Sequence, residues 1–62
     1  MTVQTLNNFT VYLECDPALT PAWLAIVVED GQTRRSEERF YGPSALDVLR
    51  EAALWADKVA AR

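Results

Sequence analysis

Few side chains in this sequence are of the types that perform covalent or metal chemistry. The chain has one cysteine, Cys15, and no histidine, so the commonest general base and metal ligand is missing. The carboxylates of Glu37 and Glu38 are adjacent and would point to opposite faces of a strand, which makes them a poor acid–base pair. Gly31 and Gly42 belong to no phosphate-binding motif. The sequence therefore predicts a protein without enzymatic activity, metal site or cofactor.

The charged residues are the second set with a possible function. The chain has a net charge of −3, which disfavours direct binding to nucleic acid. The predicted element order places six acidic side chains at the end of the molecule where the helix begins: Glu14, Asp16, Glu37, Glu38, Asp47 and Glu51. This acidic end is either ordinary solvated charge or a docking surface for a protein with a basic surface, whose association a complementary potential would accelerate.

Three strands and a helix would position these residues. The first strand runs from about Val3 to Glu14 and alternates clearly from Phe9 onward, the second covers residues 22–29, and the third covers about residues 32–41. Asp30-Gly31 is a favoured pair for a two-residue hairpin between the last two. We predict an α+β fold over a single domain, residues 1–62: a three-stranded antiparallel β-meander followed by one C-terminal α-helix packed on one face (βββα).

The helix has the clearest pattern. Ser44 with Asp47 three residues later resembles a capping box. Apolar residues then recur with helical spacing over about 16 residues. They are Val48, Leu49, Ala52, Trp55, Ala56 and Val59. This pattern predicts a helix with one apolar face.

One helix can cover one face of such a sheet, yet the second strand is apolar on both. Its two sets are Trp23, Ala25 and Val27 on one face and Leu24, Ile26 and Val28 on the other. Whichever set meets the helix, the other stays uncovered. The uncovered set is either a group of tolerated surface residues or an interface with a second copy or another protein. We name Trp23, Ala25 and Val27, with the outward Leu54, as the possible apolar interface.

The third strand carries charges that would protect a sheet edge from stray pairing. They are Arg34, Arg35, Glu37, Glu38 and Arg39. A single cysteine allows no internal disulfide, which is typical of a reducing compartment. The first residues lack the pattern of a signal peptide, and no apolar run is long enough to span a membrane. We expect a cytoplasmic protein.

Two resemblances add to this interpretation. The stretches "FTVYLE", "AWLAIVVEDG" and "PSALDVLREAALWA" resemble the small sheet-and-helix domain of HicB-type antitoxins, with Pro43-Ser44-Ala45-Leu46-Asp47 where that family has a T-x-x-E-A segment. The small size and the acidic, motif-free composition also resemble those of phage anti-CRISPR proteins. The first resemblance implies binding to a small basic toxin. The second implies blocking the DNA-binding surface of a CRISPR effector complex.

These observations lead to one functional expectation with two alternatives. We expect a non-enzymatic inhibitor that binds a protein partner, most concretely an anti-CRISPR protein that uses its acidic surface. The alternatives are a HicB-like antitoxin and a homodimeric structural module.

Overall fold

One antiparallel sheet and one C-terminal helix form the fold in a computed structural model that describes residues 2–6, 8–30 and 36–61. The strands are β1 (Thr2–Leu6), β2 (Phe9–Cys15), β3 (Trp23–Glu29) and β4 (Glu37–Gly42), and the helix is α1 (Ala45–Ala60). The strands follow one another in the order β1-β2-β3-β4. The α+β class, the antiparallel sheet and the C-terminal helix are confirmed, but this sheet has four strands where three were predicted.

The extra strand comes from a reversal inside the predicted first strand. Leu6 pairs with Phe9, so the chain turns back between these two residues and forms a hairpin in place of one long strand from Val3 to Glu14. Asparagine favours turns because its short side chain bonds to nearby backbone groups and because it tolerates positive φ. The Asn7-Asn8 pair was therefore the sequence signal for the additional strand.

The connection between β3 and β4 is longer than predicted. Val28 pairs with Glu37, and the backbone N–H of Glu29 donates to the carbonyl of Ser36 at 2.8 Å. A two-residue hairpin at Asp30-Gly31 would instead have paired Glu29 with the residue at position 32, so that prediction is wrong. Positions 31–35, with the predicted start of the third strand and two of its arginines, lie outside the described residues.

The helix begins and ends where its pattern predicted. Ser44 is the N-cap: its Oγ accepts from the backbone N–H of Asp47 at 3.2 Å and donates to the Asp47 carboxylate at 3.1 Å. The carboxylate in the first turn also lies near the positive end of the helix dipole. Among the described residues, no helix combines the length and apolarity needed to cross a membrane.

The helix covers one face of the sheet and forms the core there. Among the described residues, nine buried hydrophobic side chains form this core: Phe9, Val11, Leu13, Ala25, Val27, Val48, Ala52, Ala56 and Val59. The sheet contributes alternate residues of β2 and β3, and the helix contributes four members of its predicted apolar face. Alanines on both elements remove side-chain bulk between them, so the helix can lie close to β3.

Trp55 packs the helix against the two strands that flank β3. Its ring meets Phe9 of β2 with ring centroids 5.8 Å apart and Phe40 of β4 with centroids 6.5 Å apart, both edge to face. Such pairs add to the free energy gained from burial. Because Phe9 and Phe40 belong to strands on opposite sides of β3, this one side chain spans the width of the core.

We expect Trp55→Ala to lower the free energy of unfolding by about 3–5 kcal/mol, because it leaves a cavity and removes both aromatic contacts. Leu54→Ala is the matched control: Leu54 precedes Trp55 on the helix but is 53% exposed, so its truncation should cost less than about 0.5 kcal/mol. Urea unfolding of both variants measures the difference. Equal losses would show that Trp55 does not hold the helix to the sheet.

Candidate functional site

The face of the sheet opposite the helix is apolar and has no covering element among the described residues. Strand pairing places alternate residues of all four strands on this side. We call the resulting surface the open face, formed by Val3, Tyr12, Leu24, Ile26, Val28 and Tyr41. Val3 and Tyr41 are more than half exposed, while the three β3 residues are half-buried by their neighbours. A contiguous apolar surface rimmed by polar residues is typical of a protein–protein interaction site.

Polar and charged residues frame this surface. Thr5 and Thr10 are paired across β1 and β2 on the same side of the sheet, and Glu37 and Arg39 stand along β4. The side chains of Glu37 and Arg39 form an exposed ion pair at 3.5 Å, which contributes little to stability in solvent. The arrangement matches the anatomy of an interface, with apolar residues at the centre and polar residues at the rim.

A half-open pocket of about 150 Å³ lies at the end of the open face nearest the helix N-terminus. Its floor includes a cross-strand row in which Glu14, Leu24 and Tyr41 stand side by side on β2, β3 and β4. The loop after β2 adds Asp16 and Leu19 to the lining. This volume is below that of ordinary small-molecule sites, so the pocket suits a single inserted side chain.

The loop that walls the pocket is held by backbone and side-chain hydrogen bonds. The backbone N–H of Asp16 donates to the carbonyl of Ala22 at 2.8 Å and closes the loop at its base. The Asp16 carbonyl accepts from the N–H of Leu19 at 3.0 Å, and its carboxylate accepts from the N–H of Ala18 at 3.1 Å. These bonds fix one Asp16 carboxylate oxygen and keep the loop against the strand ends.

The six predicted acidic residues do not share one end of the molecule. Glu14, Asp16 and Asp47 lie where β2 ends and the helix begins, and Glu51 follows one helical turn later. Glu37 and Glu38, however, are the first residues of β4, four and three residues before Tyr41, or roughly 13 and 10 Å along the strand. The predicted concentration of acidic charge at one end is therefore corrected, because Glu37 and Glu38 lie near Glu29 and Asp30 at the other end.

The predicted apolar interface is corrected too. Ala25 and Val27 have no exposed surface, because they are the residues of β3 that the helix covers. Trp23 is half-buried against the same core and reaches the pocket wall, whereas Leu54 lies exposed on the helix, away from the sheet. The prediction that one apolar set stays uncovered was right in kind, but the uncovered set is Leu24, Ile26 and Val28.

Several residues of the site were not proposed as interface residues from the sequence. Among them are Val3, Tyr12, Leu19 and Tyr41. Tyr12 pairs with Ile26 and Tyr41 pairs with Leu24, so both tyrosines lie on the same face as these β3 residues. The alternation of side chains along each strand was the signal that could have identified them. Val3 depended on the separate β1 strand, and Leu19 lies in a loop where alternation gives no information.

No protein-family model, curated protein or solved structure matches this sequence. Within residues 2–6, 8–30 and 36–61, there is no group of three or more residues that could hold a metal ion. The site is thus described by its own geometry: an open apolar face with a small acidic pocket at one end.

Neighbouring residues of β3 provide a test of which face is covered. We expect Val27→Thr to lower the free energy of unfolding by about 1–3 kcal/mol, because it buries a hydroxyl without a partner. Ile26→Thr places the same residue on the open face and should cost less than about 1 kcal/mol, since water can reach the hydroxyl. Both replacements keep a β-branched side chain. Urea unfolding compares them, and a larger loss for Ile26→Thr would mean that the faces are reversed.

Proposed function

We propose that this protein is a non-enzymatic protein-binding module that inhibits its partner by occupying the partner's surface. The observation that supports this proposal is the open face, an apolar surface that lies beside a pocket sized for one side chain. Partly exposed Tyr12 and Tyr41 are the type of residue that is enriched in protein interfaces, because each ring combines apolar area with a polar end.

The residues that line the pocket indicate which type of partner side chain it would bind. Its lining is mostly apolar and aromatic, and the acidic residues Glu14 and Asp16 belong to it. A lysine or arginine side chain fits this combination, because its aliphatic stem packs on apolar walls while its charged group meets the carboxylates. The partner therefore presents a basic residue flanked by apolar surface. Asp47 and Glu51 add negative potential on the helix side of the same end and would guide the approach of a basic surface.

Inhibition of a CRISPR effector complex is the concrete form of this proposal. The basic DNA-binding surface of such a complex meets the requirement for a partner with basic side chains, and a bound module would block target DNA. The negative charges are spread over both ends of this molecule, which favours steric blocking over imitation of the DNA backbone. Binding of a small basic toxin, as in HicB-type antitoxins, is the alternative and differs in the size and RNA content of the partner.

The first experiment captures partners from bacterial lysates with three tagged proteins. They are the wild type, a pocket variant (Glu14→Lys with Asp16→Lys) and a matched control (Glu38→Lys with Asp57→Lys). Both variants change the net charge by +4, but the control changes lie at exposed positions outside the pocket lining. We expect the wild type and the control to recover a CRISPR ribonucleoprotein and the pocket variant to lose most of it.

Other outcomes would show which part of the proposal is wrong. Equal recovery by the pocket variant would refute the basic contact, and recovery of a small RNase would favour the antitoxin. An open-face variant, Ile26→Thr with Tyr12→Ser, separates the two parts of the site, because neither residue lines the pocket. If this variant and the pocket variant both retain the partner, the proposed surface is wrong.

A further inference from the structure

The two edges of the sheet differ in how their backbone groups are satisfied. An edge strand presents a row of N–H and C=O groups that can pair with another chain. On β4, the outer edge is charged, and the carboxylate of Glu38 accepts from the backbone N–H of Arg39 at 2.9 Å. This bond occupies a donor that a pairing strand would need. The β4 edge is therefore protected by its own side chains.

Within residues 2–6, the β1 edge has no comparable protection. Its sequence, TVQTL, contains no charged residue although the chain carries a net charge of −3. Residues 2–5 are exposed, and Leu6 is half-buried. A second copy can approach this edge without bringing like charges together. The edge is also uninterrupted by proline, which would remove a donor.

The hydrogen-bonding pattern shows which groups of β1 are free. The N–H of Asp30 donates to the carbonyl of Asn8 at 2.7 Å, across the sheet from β3 to the residue before Phe9. In an antiparallel pair, this pattern directs the N–H and C=O of Phe9 away from β3 and toward β1. Because the direction alternates along each strand, the groups of Val3 and Thr5 point outward from the sheet.

We propose that the β1 strands of two copies pair antiparallel about a twofold axis at Gln4, which joins the two sheets into one. This register pairs Val3 with the Thr5 of the second copy and Thr5 with its Val3. All four outward groups of each strand are then used, in four hydrogen bonds. A twofold axis shifted to Val3 or to Thr5 would use fewer of the groups within β1.

A second copy fits this edge because the surface is self-complementary. A twofold interface requires the same surface on both copies to be complementary to itself. Rotation about an axis at Gln4 brings each outward N–H of Val3 and Thr5 opposite an outward C=O of the second copy. The side chains of Val3 and Thr5 lie on the open face, so the axis joins the two open faces into one surface. Both helices lie on the other side. The contact is small for a stable interface, so we expect a dimer that forms with rising concentration.

Disulfide trapping tests the register in the full chain, in a Cys15→Ser background because Cys15 is exposed. Residues facing each other in a non-hydrogen-bonded pair have Cα atoms about 4.5 Å apart, within the range that a disulfide requires. We expect Gln4→Cys to form a covalent dimer on oxidation at least about tenfold faster than the control, because pairing raises the local thiol concentration.

Thr2→Cys in the same background is the matched control. In the proposed register, residue 2 faces residue 6 of the second copy, so the two introduced thiols stand roughly 13 Å apart along the strand, too far for a disulfide. Equal rates of dimer formation for the two variants would overturn the proposal.

Thr5→Pro supplies a second, non-covalent test. It removes an outward N–H and leaves the pairing of β1 with β2 intact, so sedimentation should show a monomer at concentrations where the wild type and Thr5→Ala dimerise. Circular dichroism of Thr5→Pro checks that the sheet is retained. A wild type that stays monomeric at millimolar concentration, or a folded Thr5→Pro that dimerises as the wild type does, would refute the pairing.

Discussion

The packing of one helix on one face of the sheet is the constraint on which the rest of the structure depends. Helix α1 buries its apolar stripe against β2, β3 and β4, and Trp55 contacts aromatic rings on both outer members of this group. No further element among the described residues is available for the opposite side. Since β3 is apolar on both faces, the same packing that forms the core also leaves Leu24, Ile26 and Val28 as a surface for another molecule.

The parts of the fold that were predicted correctly are those encoded by local pattern. The helix follows from a repeated apolar spacing and from a cap formed by Ser44 and Asp47, groups only three residues apart. The β2 and β3 strands follow from runs of alternating or continuous apolar residues. The reversal after Leu6 was missed because the residues before Phe9 show no clear alternation and were assigned to the same strand as those after it. The short Asn7-Asn8 pair was the signal that separated the two.

The site was harder to predict because it depends on register. Pairing Val28 with Glu37 sets the position of every β4 side chain, and this register places Glu37 and Glu38 at the end remote from the pocket. The number of acidic residues in the sequence carries no information about how β4 is aligned with β3. Each one-residue change in that alignment moves a side chain by about 3.3 Å along the strand. The choice between the two faces of β3 likewise depended on how the helix docks, because both of its sets are apolar.

The nearest-neighbour order of the strands also has a consequence for how the chain folds. Each strand pairs with the strands that precede and follow it in sequence, so the sheet can grow hairpin by hairpin without closing a long loop. Topologies dominated by such local contacts fold quickly, because little chain entropy is lost before each contact forms. Packing of the helix on β2 and β3 is the exception, because it joins segments that are far apart in the sequence, as the contact between Phe9 and Trp55 does. We therefore expect docking of the helix to be the step that makes folding cooperative.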